Sequence, residues 1–70
     1  MKEIQFKLEG EYIELIQLLK ATGLAQTGGH AKMIVDEGLV LRNGEVETRK
    51  RAKLLLGEII EVVDHKITID

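Results

Sequence analysis

An α+β fold, two packed helices against a small antiparallel sheet, is what this sequence predicts, and three features predict it. Apolar residues alternate with polar ones near the start. Two stretches then repeat their apolar residues at helical spacing with only four residues between them. After these, an Asn-Gly pair sits between apolar runs, and β-branched segments follow it. Strand, helix pair, then several short strands is the order of a single α+β domain spanning residues 1–70.

Each element follows from its residues. Ile4, Phe6 and Leu8 alternate with Glu3, Gln5, Lys7 and Glu9, the period of a half-buried strand, and Gly10 ends it. From Glu11 to Thr22, the apolar residues Tyr12, Leu15, Ile16 and Leu19 share one face of a helix. Glu11 and Glu14 stand near its positive end and Lys20 near its negative end. Thr27 is an N-cap for a second helix running to Glu37, with Ala31, Ile34 and Val35 inward and Gly38 as its stop. His30 stands where a capping box would hold Glu or Gln, so only the hydroxyl half of that box is expected.

The remainder reads as strands. Leu39 to Arg42, Asn43-Gly44 and Glu45 to Glu47 form a hairpin, because both central residues of a type I′ turn need positive φ. Thr48 to Lys53 is extended or looped, and Leu54 to Leu56 returns to the core. Gly57-Glu58 turns, Ile59 to Val63 is a strand, and His65-Lys66 turns the chain into a last strand at Ile67 to Ile69.

Composition removes many functions. Apolar residues make up 44% and charged residues 31% of the chain, and Cys, Ser, Pro and Trp are absent. No thiolate metal site and no Cys or Ser nucleophile is available. His30 and His65 are far apart in sequence and read as surface or cap-proximal side chains. No catalytic residue, metal site, cofactor or small-molecule substrate is therefore expected. Glu3, Lys7 and Glu9 interrupt the early apolar residues, so no secretory signal or membrane segment is expected, and the expected location is the cytoplasm.

The net charge of −2 is segregated. Residues 1–14 carry −2 and residues 54–70 carry −3, while the stretch between carries +3. Within it, Arg49, Lys50, Arg51 and Lys53 lie close together with no compensating partner in the local sequence, and a polyanion is the economical explanation. Thr27-Gly28-Gly29 adds free backbone N–H groups at a helix start, a second anion site. Phe6 and Tyr12 fall on apolar faces, so no aromatic platform for splayed bases is expected. A polyanion would be gripped by backbone and shape, which suits structured RNA. The alternative is a protein-interaction module whose basic patch meets an acidic partner.

Leu18-Leu19-Lys20, Thr27-Gly28-Gly29-His30-Ala31-Lys32, Gly38-Leu39-Val40, Asn43-Gly44-Glu45, Glu47-Thr48-Arg49-Lys50-Arg51 and Gly57-Glu58, in that order and spacing, carry a resemblance. The chain resembles the small stand-alone bacterial RNA-binding proteins of the YbcJ and YaaA type, a branch of the alpha-L motif fold named for ribosomal protein S-four. The resemblance implies a ribosome-associated, non-catalytic module on structured RNA of the ribosomal class, with two helices and the following hairpin forming one basic face. The RNA-facing residues it implies are Lys20, Thr27, Gly28, Gly29, Lys32, Arg49, Lys50, Arg51 and Lys53. Thr27 replaces the usual Ser but keeps the hydroxyl, and Gly28 stands where the wider superfamily often has Arg. Arg42 occupies a position usually aliphatic and is expected to point outward and add to the basic face.

Overall fold

The computed structural model describes residues 1–70. Its elements are β1 (Lys2–Phe6), β2 (Ile13–Glu14), α1 (Leu15–Ala21), α2 (Gly28–Asp36), β3 (Val40–Arg42), β4 (Glu45–Val46), β5 (Lys53–Leu54), β6 (Ile59–Val62) and β7 (His65–Ile69). Five strands form one sheet in the order β1-β7-β6-β3-β4, and β2 pairs with β5 as a separate two-stranded ladder. The two helices and this sheet share a core of Leu15, Leu18 and Leu19 from α1, Ala31, Ile34 and Val35 from α2, and Val40, Ile60, Val62, Ile67 and Ile69 from the sheet. The α+β architecture read from the sequence is the one the chain adopts.

The sheet is mixed, not wholly antiparallel as expected, because β1 runs parallel to β7. That register sets Ile4 beside Ile67 and Phe6 beside Ile69, so the alternating apolar residues of β1 extend the apolar face that β7 already presents. The N–H of Leu8 donates to the Asp70 carbonyl and that of Asp70 to the Phe6 carbonyl, which carries the pairing past the strand ends.

Helix α2 matches its sequence signals closely. Thr27 Oγ1 accepts from the His30 N–H at 3.0 Å. His30 does more than expected: its Nδ1 accepts from the Gln26 N–H at 3.3 Å, so the ring reaches back over the helix start much as a capping-box Glu would. At the other end, Gly38 takes φ +73°. Its N–H donates to the Val35 carbonyl and the Leu39 N–H to the Ile34 carbonyl, the paired bonds of a Schellman stop.

Helix α1 is shorter than expected. Residues Ile13 and Glu14 are extended and pair with Leu54 and Lys53, and the N–H of Leu15 donates to the Ala52 carbonyl. This ladder displaces the first helical turn, which leaves Tyr12 outside the helix and 42% exposed. Two further expectations shift. Leu54 is buried, but Leu55 and Leu56 lie on the surface. The β6–β7 turn is at Val63-Asp64, not His65-Lys66, since Ile60 then faces Ile67 and Val62 faces His65. A turn two residues later would set Ile67 against Asp64 and forfeit that apolar pairing.

Candidate nucleic-acid interface

The Asn43-Gly44 hairpin is the start of the site. Asn43 takes φ +51° and Gly44 φ +89°, the left-handed pair a type I′ turn requires. Asn43 also fastens the turn to the sheet: its Oδ1 accepts from the Ile59 N–H at 2.9 Å, and its Nδ2 donates to Glu58 at 3.1 Å.

Arg42, at the end of β3, does not point outward. Its Nε and Nη2 donate to the two oxygens of Glu58 at 2.5 and 2.9 Å, its Nη1 donates to Glu47 at 3.2 Å, and Nη2 also reaches the Lys53 carbonyl at 2.9 Å. Every guanidinium nitrogen is in use, so the expectation that Arg42 adds to the basic face is corrected. It ties the hairpin to the segment that follows. Hydrogen bonding by Arg42 is the main reason the Glu58 carboxyl lies below its ordinary range, and Glu58 in turn is the main cause that raises Arg42.

Glu47 is the one buried charged residue. Its carboxyl is held down from 4.5 to about 2, chiefly by hydrogen bonds from the Arg49 side chain, against the opposing effect of burial, with the Arg49 N–H and Arg42 adding to the lowering. Arg49 Nε and Nη2 lie 3.1 and 3.2 Å from the two carboxylate oxygens. This fork fixes the Arg49 guanidinium and leaves Nη1 free, on a side chain 72% exposed.

The rest of the basic segment is held from several sides. The Lys50 carbonyl accepts from the Ile16 N–H, and the Lys50 ammonium lies 3.1 Å from Asp36 at the end of α2. Arg51 Nε is 3.4 Å from Glu14, with the side chain 78% exposed. The expectation that these cations have no compensating partner in the local sequence is corrected at Arg49, whose partner is Glu47, while Asp36 and Glu14 come from distant parts of the chain. The Lys50–Asp36 and Arg51–Glu14 pairs are exposed on the cations' side, of small worth in water, and a phosphate can displace or share them. Arg42, Arg49, Arg51, Ala52 and Lys53 line an open groove of about 510 Å³.

The second expected anion site lies elsewhere on the surface. The basic segment abuts the start of α1 and the end of α2, whereas Thr27, Gly28 and Gly29 begin α2, roughly 12 Å away at 1.5 Å per residue. There the His30 and Ala31 N–H groups bond to Thr27, which leaves those of Gly28 and Gly29 without a backbone acceptor. Lys20 is in the last turn of α1 and, like Lys32, is exposed. No three His, Asp or Glu side chains converge in a way that could hold a metal ion.

Sequence reasoning missed three participants. Glu58 is sixteen residues from Arg42 and Glu14 thirty-seven from Arg51, separations at which no local pattern shows a pairing. Tyr12, placed on a helix face by its spacing, instead lies beside the basic segment with the Lys53 ammonium 5.0 Å from its ring centre.

Comparison with known proteins gives this geometry its relatives. The chain is 38% identical over 58 residues to the Escherichia coli protein named "Putative RNA-binding protein YbcJ", covering 83% of each. It is 38% identical over 55 residues to the Bacillus subtilis protein named "Probable ribosome maturation protein RlbA", covering 79% of this chain and 78% of that one. The solution structure of YbcJ from E. coli, described as revealing an alfaL motif involved in RNA binding, superposes with a TM-score of 0.72 at 36% identity, covering 93% of this chain and 84% of the other. The S4 domain family model matches residues 6–70, and with relatives at this identity the chain belongs to the S4 domain family.

Proposed function

We propose that this chain is a non-catalytic RNA-binding protein that grips structured RNA by its phosphate backbone. The observation that carries the reading is the groove in which Arg49, Arg51 and Lys53 present exposed cations on a framework fixed by Glu47, Arg42 and Glu58. Preorganised guanidinium groups lose little freedom when they meet phosphate. Lys50 adds charge at the end of α2, while Lys20, Lys32 and the Gly28 and Gly29 amides offer contacts farther along the same strand of RNA.

The names of the relatives support RNA as partner, and that of the Bacillus protein supports ribosomal RNA as the first class to test. No helix is long and apolar enough to cross a membrane, and we place the protein in the cytoplasm with its RNA.

The test is affinity for a structured ribosomal RNA fragment and for duplex DNA across a salt series, with Arg49, Lys50 and Arg51 together changed to Ala in a second protein. Each lost phosphate contact lowers the salt slope by about one. We expect steep salt dependence in the parent, corresponding to roughly three to six phosphates, and loss of binding in the variant at temperatures well below its own melt, which falls because Arg49 is the main partner of the buried Glu47. Absence of RNA binding at low salt would sink the reading and favour an acidic protein partner for the same groove.

A further inference from the structure

Of the chain's two aromatic side chains, Phe6 packs against the core, while Tyr12 is not part of it. Tyr12 is 42% exposed. Its place is set by the β2–β5 ladder, in which Ile13 faces Leu54 and Glu14 faces Lys53, so the tyrosine just before β2 lies along the same edge as the basic segment. Lys53 links the two. Its ammonium sits 5.0 Å from the Tyr12 ring centre, and the same residue lines the cationic groove. Tyr12 also lines a cleft of about 420 Å³ with Phe6, Leu8 and Ile13 on its apolar side and Lys7 and Glu9 on its polar side. A volume of this size suits a small planar group, and apolar walls with a few polar rims are what such a group requires.

We propose that Tyr12 is a stacking platform for one unpaired base of the bound RNA, with Lys53 holding the phosphate next to that base. This rests on the RNA reading of the groove and adds base capture to it. Three features favour a base as occupant. A half-exposed aromatic ring outside the core offers its π surface to any nucleobase once the Lys53 ammonium over it moves to the adjoining phosphate. The adjoining charge is cationic, matching the phosphate that every nucleotide brings with it. Lys53 of the groove reaches Tyr12 of the cleft, its ammonium 5.0 Å from the ring centre, a separation a single nucleotide spans. A fully paired helix keeps its bases stacked and presents only backbone, so a bulge or loop is the RNA feature that fits.

The experiment uses a ribosomal RNA stem carrying one bulged purine and the same stem fully paired. Tyr12 is the only tyrosine, so its ring protons give one assignable set of NMR signals. We expect these to move upfield with the bulged stem and stay in place with the paired one, while the backbone amides of Arg49 to Lys53 shift with both. Tyr12→Phe keeps the preference for the bulged stem. Tyr12→Leu loses about five- to one-hundred-and-fifty-fold on the bulged stem and nothing on the paired one. If the basic amides shift with both stems but the ring does not move, stacking is overturned and the phosphate reading stands. If neither stem moves the basic amides, both readings fall together. The ring signals of the parent protein decide the matter even if Tyr12→Leu folds poorly.

Discussion

Arg42 and Arg49 are seven residues apart on either side of one hairpin, and the fold treats them oppositely. The Arg42 side chain is 21% exposed and gives every nitrogen to Glu58, Glu47 or the Lys53 carbonyl. Arg49 is 72% exposed, is anchored along one edge by Glu47, and keeps Nη1 free. The difference is where the carboxylates fall. Glu58 approaches Arg42 from the β5–β6 connection and forms a bidentate pair, whereas Arg49 shares Glu47 with Arg42 and has no second acid. A count of cations in the sequence treats the two alike. Here only the arginine left partly unpaired is suited to an external anion, and the other builds the frame on which it stands.

The largest effect that would separate the two is at Arg42. Arg42→Met removes the guanidinium while keeping much of the stem, and leaves Glu47 without its inner partner and Glu58 without its fork. Breaking a largely buried pair in this way costs about 3 kcal/mol, which for a domain this small lowers the melting temperature by roughly 12 °C or more. RNA binding measured well below that temperature should persist, because the exposed cations are untouched. A variant that melts normally but fails to bind RNA would reverse the assignment and return Arg42 to the interface.

Glu47 is the shared acid, and acid titration sharpens the comparison. Its carboxyl has a folded value of about 2 against an ordinary 4.5. The proton therefore binds the unfolded chain more readily. Stability from this group is complete above about pH 4.5 and falls as the pH drops toward 2. After discounting for the solvent around Arg49, the amount is about 2 kcal/mol. Chemical denaturation at stepped pH should show this decline in the parent protein and a flatter profile in Glu47→Gln. Equal slopes in the two proteins would remove Glu47 as the acid-sensitive clamp.

At the second anion site, Gly29→Asp tests whether RNA reaches the start of α2. An added Cβ meets only Thr27 Oγ1, at 3.9 Å, so the fold tolerates it, and an acid near a helix start favours the helix. Binding should weaken severalfold with stability unchanged or raised. Unchanged affinity would confine the RNA to the Arg49–Lys53 groove.

Signals carried by neighbouring residues were legible in the sequence. The Thr27 cap, the Gly38 stop and the Asn43-Gly44 turn each depend on one residue's side chain or its freedom to take positive φ. Elements decided by distant partners were not. Tyr12, Leu15, Ile16 and Leu19 fit a helical face, yet Leu54 and Lys53, forty residues on, pull Ile13 and Glu14 into a ladder. Arg42 looked like one more surface cation until Glu58 was placed against it. The parallel β1–β7 pair joins the two ends of the chain, a contact no window of sequence contains. The basic segment was visible as charge, but its orientation depends on Glu47, Glu14 and Asp36.

The smallest expected effect carries the contrast between used and unused side chains into the turns. Asn43 and Val63 both take left-handed backbone, φ +51° and +55°. Asn tolerates this region and here also bonds Ile59 and Glu58, whereas a β-branched residue there is strained by about 1–2 kcal/mol. Val63 is 70% exposed, so little packing offsets the strain. The turn stays where it is because it sets Ile60 against Ile67 inside the core. Val63→Asn should therefore raise stability by about 1 kcal/mol, several degrees in a thermal melt, with RNA affinity unaltered. Asn43→Val, the reverse exchange at the other turn, should lower stability by more, since it adds the strain and removes two hydrogen bonds. If Val63→Asn instead lowered the melting temperature, its side chain would be packing against Leu24, Met33 or Leu39, with which it shares a shallow apolar hollow, and that contact would outweigh the backbone strain.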